Sequence, residues 1–202
     1  MSYYNDIFSV NNTDDNEKQI VIPNRTGSPL LAKQKSLTMR GFIDFAARRN
    51  YNIARSIGLN KQQALKATRY MTTQQALESQ YGNSYAARNK YNRSGMMLNG
   101  KTINYATPDL NDIALYKSFI HNPNWKQALY APDMEGYIYK LQDRSNGKHP
   151  YEGTKSAEQY YRDMKGLKTF QKELDSYFNS GVTNSWTMNH NMIGLEDMIP
   201  LA

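Results

Sequence analysis

The stretch Met71-Thr-Thr-Gln-Gln-Ala-Leu-Glu-Ser-Gln-Tyr-Gly-Asn-Ser84 reads as a helix that ends on a carboxylate. Ala64, Ala67, Met71, Gln74 and Glu78 recur at spacings of three and four, so they share one helical face. Seven residues separate Met71 from Glu78, which returns the side chain to within roughly 20° of the same direction. Glu78, the only acid between residues 61 and 108, therefore points where the apolar residues point. It also stands in the last turn before Gly82, where the helix dipole disfavours negative charge. Partial desolvation and that dipole both favour a protonated carboxyl, which suits a proton donor. Helix geometry alone leaves a second reading open, a helix-end glutamate turned back to solvent.

Around this helix the chain divides into three parts. Residues 1–35, with Asn11-Asn-Thr-Asp-Asp-Asn-Glu-Lys18 and Thr26-Gly-Ser-Pro29, hold no sustained period and read as an extended N-terminal arm. Residues 36–180 read as one domain. Ser36 is expected to cap a helix running to about Ile57, with Phe42, Phe45, Ala46, Ile53 and Ile57 inward and Gly58 as its stop. Asn60 caps the Glu78 helix. Asn99-Gly100, flanked by Met96, Met97, Leu98, Ile103 and Tyr105, signals a hairpin and a small β-lobe. Thr107-Pro108-Asp109 opens the next helix. Short helices follow near 123–131 and 133–143, the second capped by Asp133. One or two helices fill 155–179 with a break near Gly166. Residues 181–202, with Trp186, Met188, Met192, Ile193 and Leu195, are too apolar for a solvated tail and read as a C-terminal docking peptide. The fold class expected is α+β, mostly α-helical.

Composition narrows the functions. Cysteine is absent, so disulfides, thiol catalysis and thiolate metal sites are excluded. His121, His149 and His190 lack ligand spacing, and no metal or cofactor is expected. No run of 18 apolar residues offers a membrane span. Met1-Ser-Tyr-Tyr-Asn-Asp-Ile-Phe8 has neither a basic nor an apolar leader region, so no secretory signal is expected. Charge is uneven. Residues 36–108 carry eleven bases against two acids, net +9, while residues 109–202 carry ten bases against twelve acids, net −2. A basic face attracts anionic polymer, or is simply a solvated helix face. Without a Gly-rich phosphate loop or a nucleic-acid module, nucleic acid is not expected as a specific partner.

Ala76-Leu-Glu-Ser-Gln-Tyr-Gly-Asn-Ser84, followed by Tyr91-Asn-Arg-Ser-Gly-Met96, resembles the signature of the glucosaminidase family of peptidoglycan hydrolases, flagellar muramidase-like enzymes of the lysozyme superfamily. The family's form is Ala-Leu-Glu-Ser/Thr-x-Trp/Tyr-Gly-x-Ser, then Asn-x-Phe/Trp-Gly-Ile opening a β-lobe. Asp112–Leu129 is similar to its helix and Asn-Pro turn. Leu141-Gln142, Tyr151 and Tyr160 resemble its later Leu-Gln and tyrosine segment. The resemblance covers about residues 38–178. It implies a lysozyme-like domain with Glu78 as general acid and supports Tyr151 in a substrate groove; Tyr81 and Tyr105 are further candidates there as rings that stack on sugar faces, and Gln75, Ser79 and Asn92 as polar contacts near the acid. Ser94 replaces the family's aromatic. Glycoside hydrolysis usually pairs two carboxylates, about 5 Å apart for retention or about 6.5–9.5 Å for inversion. The β-lobe offers none, so Asp109, Asp112 and Glu152 are the second-group candidates, beside the substrate's own N-acetyl group.

The combined expectation is a bacteriophage virion protein, of the tail, that cleaves peptidoglycan glycan strands at the host envelope during genome entry. Residues 1–35 and 182–202 would bind other virion proteins, and homo-oligomerisation within the assembly is expected. The alternative is a non-catalytic ring or plug component of the tail with a degenerate lysozyme-like domain.

Overall fold

The computed structural model describes residues 21–22, 36–98, 100–145, 150–151 and 153–186. They are mostly α-helical. The helices are α1 (Met39–Ser56), α2 (Lys61–Ser79), α3 (Tyr85–Lys90), α4 (Pro108–His121), α5 (Pro123–Ala128), α6 (Met134–Leu141), α7 (Ala157–Gly166) and α8 (Lys168–Asn179). Four two-residue strands accompany them, β1 (Val21–Ile22), β2 (Met97–Leu98), β3 (Lys101–Thr102) and β4 (Asn104–Tyr105). Among the described residues no helix is long and apolar enough to cross a membrane.

Helix α1 buries Phe42, Ala46, Ile53 and Ile57, the face its sequence assigns to the core, while Phe45 is partly buried. Its cap is Thr38, not Ser36. The backbone of Leu37 exchanges two hydrogen bonds of 3.0 Å with the Asn83 side chain, and the Thr38 hydroxyl takes the Gly41 N–H at 3.0 Å. Helix α2 starts on a capping box in which Asn60 and Gln63 satisfy each other's backbone N–H, both at 3.0 Å. Ala64, Ala67, Met71 and Gln74 are buried as phased, but so are Thr68, Thr72, Thr73 and Gln75. The threonines tolerate this because Thr68 and Thr73 donate to the carbonyls of Ala64 and Arg69, at 2.6 and 2.9 Å. Helix α2 is thus the buried axis, packed by α1, α7 and α8.

The small β-lobe forms where Asn99-Gly100 placed it. Strands β2 and β3 pair antiparallel, with Met97 opposite Thr102 and Leu98 opposite Lys101. Gly100 sits at φ +75°, a conformation the turn requires; Asn99 lies outside the described residues. Strand β1, from the N-terminal arm, pairs in parallel with β4, Val21 opposite Asn104 and Ile22 opposite Tyr105. Thr107 and Asp133 cap α4 and α6 as their sequences indicate. The break near Gly166 falls at Leu167, between α7 and α8.

One boundary differs from the sequence reading. Gly181, at φ +80°, does not end the folded unit but starts a 3-10 turn, Val182–Ser185. The turn delivers Trp186 onto Tyr51, Phe178 and Tyr177, with ring centroids 5.2, 5.8 and 6.2 Å away. An indole that is 6 % exposed is core, so Trp186 is not free to dock elsewhere. The rest of the tail, residues 187–202, lies outside the described residues, as does the arm apart from β1. Trp186→Ala is expected to cost about 3–5 kcal/mol, the usual range for emptying a buried aromatic site. Urea unfolding of the two proteins measures it, and a loss under about 1 kcal/mol would return Trp186 to the tail.

Candidate functional site

Helix α2 ends in an unusual backbone. Gln80, Tyr81 and Gly82 take φ of 51°, 58° and 76°, a left-handed exit of three residues. Left-handed backbone costs a non-glycine residue about 1–2 kcal/mol. The turn is held by the Gly82 N–H on Ser79 Oγ at 2.8 Å, the Ser84 N–H on the Ser79 carbonyl at 2.8 Å, and Tyr81 against Phe170 at 5.5 Å. This exit fixes the last turn of α2 and with it Glu78.

The opposite wall is the segment following α3, where three consecutive side chains are tied down. Asn92 donates to the carbonyls of Met96 and Ile103 at 2.6 and 3.0 Å, and accepts the Met96 N–H at 2.9 Å. Arg93, buried, forms an ion pair with buried Asp112. Ser94 Oγ accepts from Gln75 Nε2 at 3.2 Å and donates to Asn111 Oδ1 at 3.3 Å, while its carbonyl accepts from the Tyr151 hydroxyl. Gly95 follows at φ +65°, and a Cβ there would lie 3.0 Å from Glu78 Oε2. Only glycine permits both that backbone and that approach.

Between the walls lies a cavity of about 250 Å³ lined by Glu78, Ser94, Gly95, Met96, Met97, Pro150, Tyr151 and Gly153. Glu78 is its one charged lining residue among those described. Tyr160, from the first turns of α7, donates its hydroxyl to Glu78 Oε1 at 2.6 Å. Burial, and then the neighbouring Glu78, push the Tyr160 phenol well above its usual 10.0. It therefore keeps its proton and stays a donor throughout the physiological range. Tyr151 is steadied by its N–H on the Leu141 carbonyl at 3.0 Å and by Trp125, 5.1 Å away. The arrangement suits proton transfer to a ligand with apolar faces, since Met96, Met97, Pro150 and Tyr151 are half of the lining residues and none of the described ones is cationic.

The other sequence candidates distribute differently. Of the residues assigned to the groove, Tyr151 lines the cavity. Gln75 is buried behind Ser94, its Oε1 accepting from Asn50 Nδ2 at 3.0 Å. Ser79 is spent on the α2 exit and Asn92 on the β-lobe turn. Tyr81 packs on Phe170, and Tyr105 is buried with its hydroxyl 3.4 Å from Met96 Sδ. These five support the site from behind and do not line it. Aromatic or amide character gave no way to separate lining from support.

The second-acid candidates also separate. Asp112 is clamped between Arg93 and Arg49, the latter at 2.5 Å. Asp109, largely exposed, shares Arg49 at 2.6 Å. Burial and the neighbouring Arg49 lower Arg93 to about 9, which leaves it cationic at neutral pH. Neither aspartate lines the cavity. Glu152 lies outside the described residues, although both chain neighbours, Tyr151 and Gly153, line it. Tyr160 is the contact that sequence reasoning left without a role. Its place in the later tyrosine segment of the resemblance was the available signal. His121 Nδ1 lies 2.9 Å from the Lys117 carbonyl, while His149 and His190 lie outside the described residues. Among the described residues no cluster of His, Asp and Glu offers a metal site.

No protein-family model matches the chain, and neither a curated protein nor a solved structure does. The site's chemistry therefore stands on its own residues.

Removing one partner of a buried ion pair leaves an uncompensated charge and costs about 3–5 kcal/mol. Asp112→Asn is therefore expected to lower the melting temperature strongly, and Asp109→Asn, exposed, hardly at all. Thermal unfolding of both variants checks this. A stable but inactive Asp112→Asn would instead make Asp112 a catalytic acid.

Proposed function

We propose that the chain is a phage virion protein of the tail whose lysozyme-like domain hydrolyses peptidoglycan glycan strands, with Glu78 as general acid. The observation carrying this reading is the Glu78 carboxylate. It lines an open cavity between α2 and the β-lobe segment, with Tyr160 on Oε1 and Gly95 against Oε2. The residues of the glucosaminidase-like signature, Glu78 with Asn92 to Met96, are the ones that build the two walls. Glu78 would pass its proton to the leaving glycosidic oxygen as the bond to the anomeric carbon breaks. An oxocarbenium-like centre forms, and water completes the hydrolysis. The second role falls to Glu152, taking a proton from the attacking water, or to the substrate's acetamido oxygen, stabilising the anomeric centre until water adds, because Asp109 and Asp112 are committed to arginines.

That commitment is also what favours the alternative, a structural ring or plug component that kept the domain without turnover. A zymogram on purified peptidoglycan separates the two. Wild type is expected to clear the substrate and Glu78→Gln to lose at least about a hundredfold, since a positioned acid contributes roughly 10²–10⁴. Glu152→Gln beside it decides the second group. Equal clearing by wild type and Glu78→Gln would assign the activity elsewhere, and no clearing by either would leave the structural component.

The virion reading draws on the ends of the chain, whose apolar side chains are scattered without helical period. Deleting residues 1–20 and 187–202 is expected to leave the melting temperature nearly unchanged and to prevent incorporation into particles. Normal incorporation of the doubly truncated protein, or its absence from purified virions, would overturn the assembly reading.

A further inference from the structure

The proposed mechanism leaves unused a polar side chain next to Glu78. Gln74 stands four residues earlier on the same face of α2, a spacing that brings Cβ atoms to about 5–6 Å. It is 3 % exposed. Its Oε1 accepts from the hydroxyl of Tyr137 on α6. Tyr137 is itself fully buried, and burial pushes its phenol upward, so it too remains a donor. With Oε1 on the Tyr137 hydroxyl, the amide has Nε2 turned away from Tyr137. That Nε2 is buried and has no protein partner.

Leaving a buried amide N–H without a partner is costly. Buried donors of this kind are usually satisfied by an internal water that also bonds other polar groups. Glu78 is the charged group nearest along the helix face, and Tyr160 closes the same corner from α7, close enough to Tyr137 for the two phenols to influence each other. The Tyr137 hydroxyl accounts for the Oε1 end of this amide and leaves the Nε2 end without a protein partner.

We propose that Gln74 is a positioning residue for Glu78, its Nε2 donating to one internal water that bonds the Glu78 carboxylate, with Tyr137 holding the amide in register. The water would anchor the carboxylate from the core side while Tyr160 anchors Oε1, leaving the cavity-facing proton aimed at the ligand. This rests on Glu78 being the acid of the proposed function, but its first test does not need turnover.

In the 15N-labelled full chain, the Gln74 side-chain amide is expected to show a rotating-frame Overhauser contact to a long-lived water. That contact should weaken in Tyr137→Phe, where the amide is free to turn. The second readout is kinetic, on soluble glycan fragments. Gln74→Met, made in the Tyr137→Phe background so that no phenol is stranded, keeps volume and removes the donor, so kcat should fall about tenfold below wild type with KM unchanged, as for a misaligned catalytic group. Gln74→Glu, able to bond the same water, should recover part of the loss. Absence of the water contact in wild type would overturn the proposal, and so would an unaltered kcat in the double variant. Should the double variant not fold, the water contact in wild type and Tyr137→Phe decides alone. If wild type cleaves no glycan, the proposed function falls, and the contact still decides whether Gln74 serves Glu78.

Discussion

Three consecutive side chains, Asn92, Arg93 and Ser94, hold the cleft together, because each is buried and each is tied to a different part of the fold. Asn92 binds forward to the β-lobe, Arg93 binds Asp112 of α4, and Ser94 binds Gln75 of α2 and Tyr151 of the loop before α7. Three anchors on three successive residues leave the backbone no freedom, so Gly95 is laid against Glu78 by construction. A buried ion pair is a poor source of net stability compared with apolar packing, but it is costly to break. Its value here is positional. Arg93 and Asp112 hold the β-lobe segment against α4 in one register.

Helix α2 supplies the opposite half of that geometry. Its residues are buried on several sides, so a single apolar stripe is a poor description of it. What makes this workable is local satisfaction of polar groups, threonine hydroxyls on preceding carbonyls and amides within networks such as Asn50–Gln75–Ser94. A helix so enclosed cannot rotate or slide without stranding these groups. Glu78, in its last turns, inherits that rigidity, and the left-handed exit through Gln80 and Tyr81 turns the chain away so that α3 and the β-lobe can fold back over the carboxylate.

The parts legible in the sequence are those set by neighbours in the chain. Caps at Asn60, Thr107 and Asp133, the Asn99-Gly100 turn, the break near Gly166 and the inward phase of Glu78 all depend on interactions within about four residues. Even there, Thr38 displaced Ser36 because a distant residue, Asn83, held Leu37 extended. What was illegible depends on partners far along the chain. Tyr160 reaches Glu78 across 82 positions. Trp186 finds Tyr51, and Tyr81 finds Phe170. Tyrosine content could suggest a sugar platform, but whether a given ring meets solvent or another ring is decided by packing. Tyr105 is buried, Tyr81 packs on Phe170, and Tyr151, packed on Trp125, also lines the cavity.

The charge pattern changes meaning once these distant pairings are known. The net +9 of residues 36–108 suggested a field that could steer anionic polymer, or a solvated face. Four of its eleven bases are instead matched by acids from the second half of the chain. Arg40 meets Glu173, Arg49 meets Asp109 and Asp112, Arg69 meets Asp175, and Arg93 meets Asp112. The exposed pairs contribute little, about 0–1 kcal/mol each, so they are not what holds the halves together. Their consequence is electrostatic: opposite charges a few ångströms apart look neutral from beyond the roughly 8–10 Å over which salt screens them. Long-range steering by this face is therefore weaker than the sequence charge implies. Among the described residues no cation lines the cavity either, so recognition there falls to Met96, Met97, Pro150 and the Tyr151 ring, and selectivity to the Glu78 carboxylate beside them.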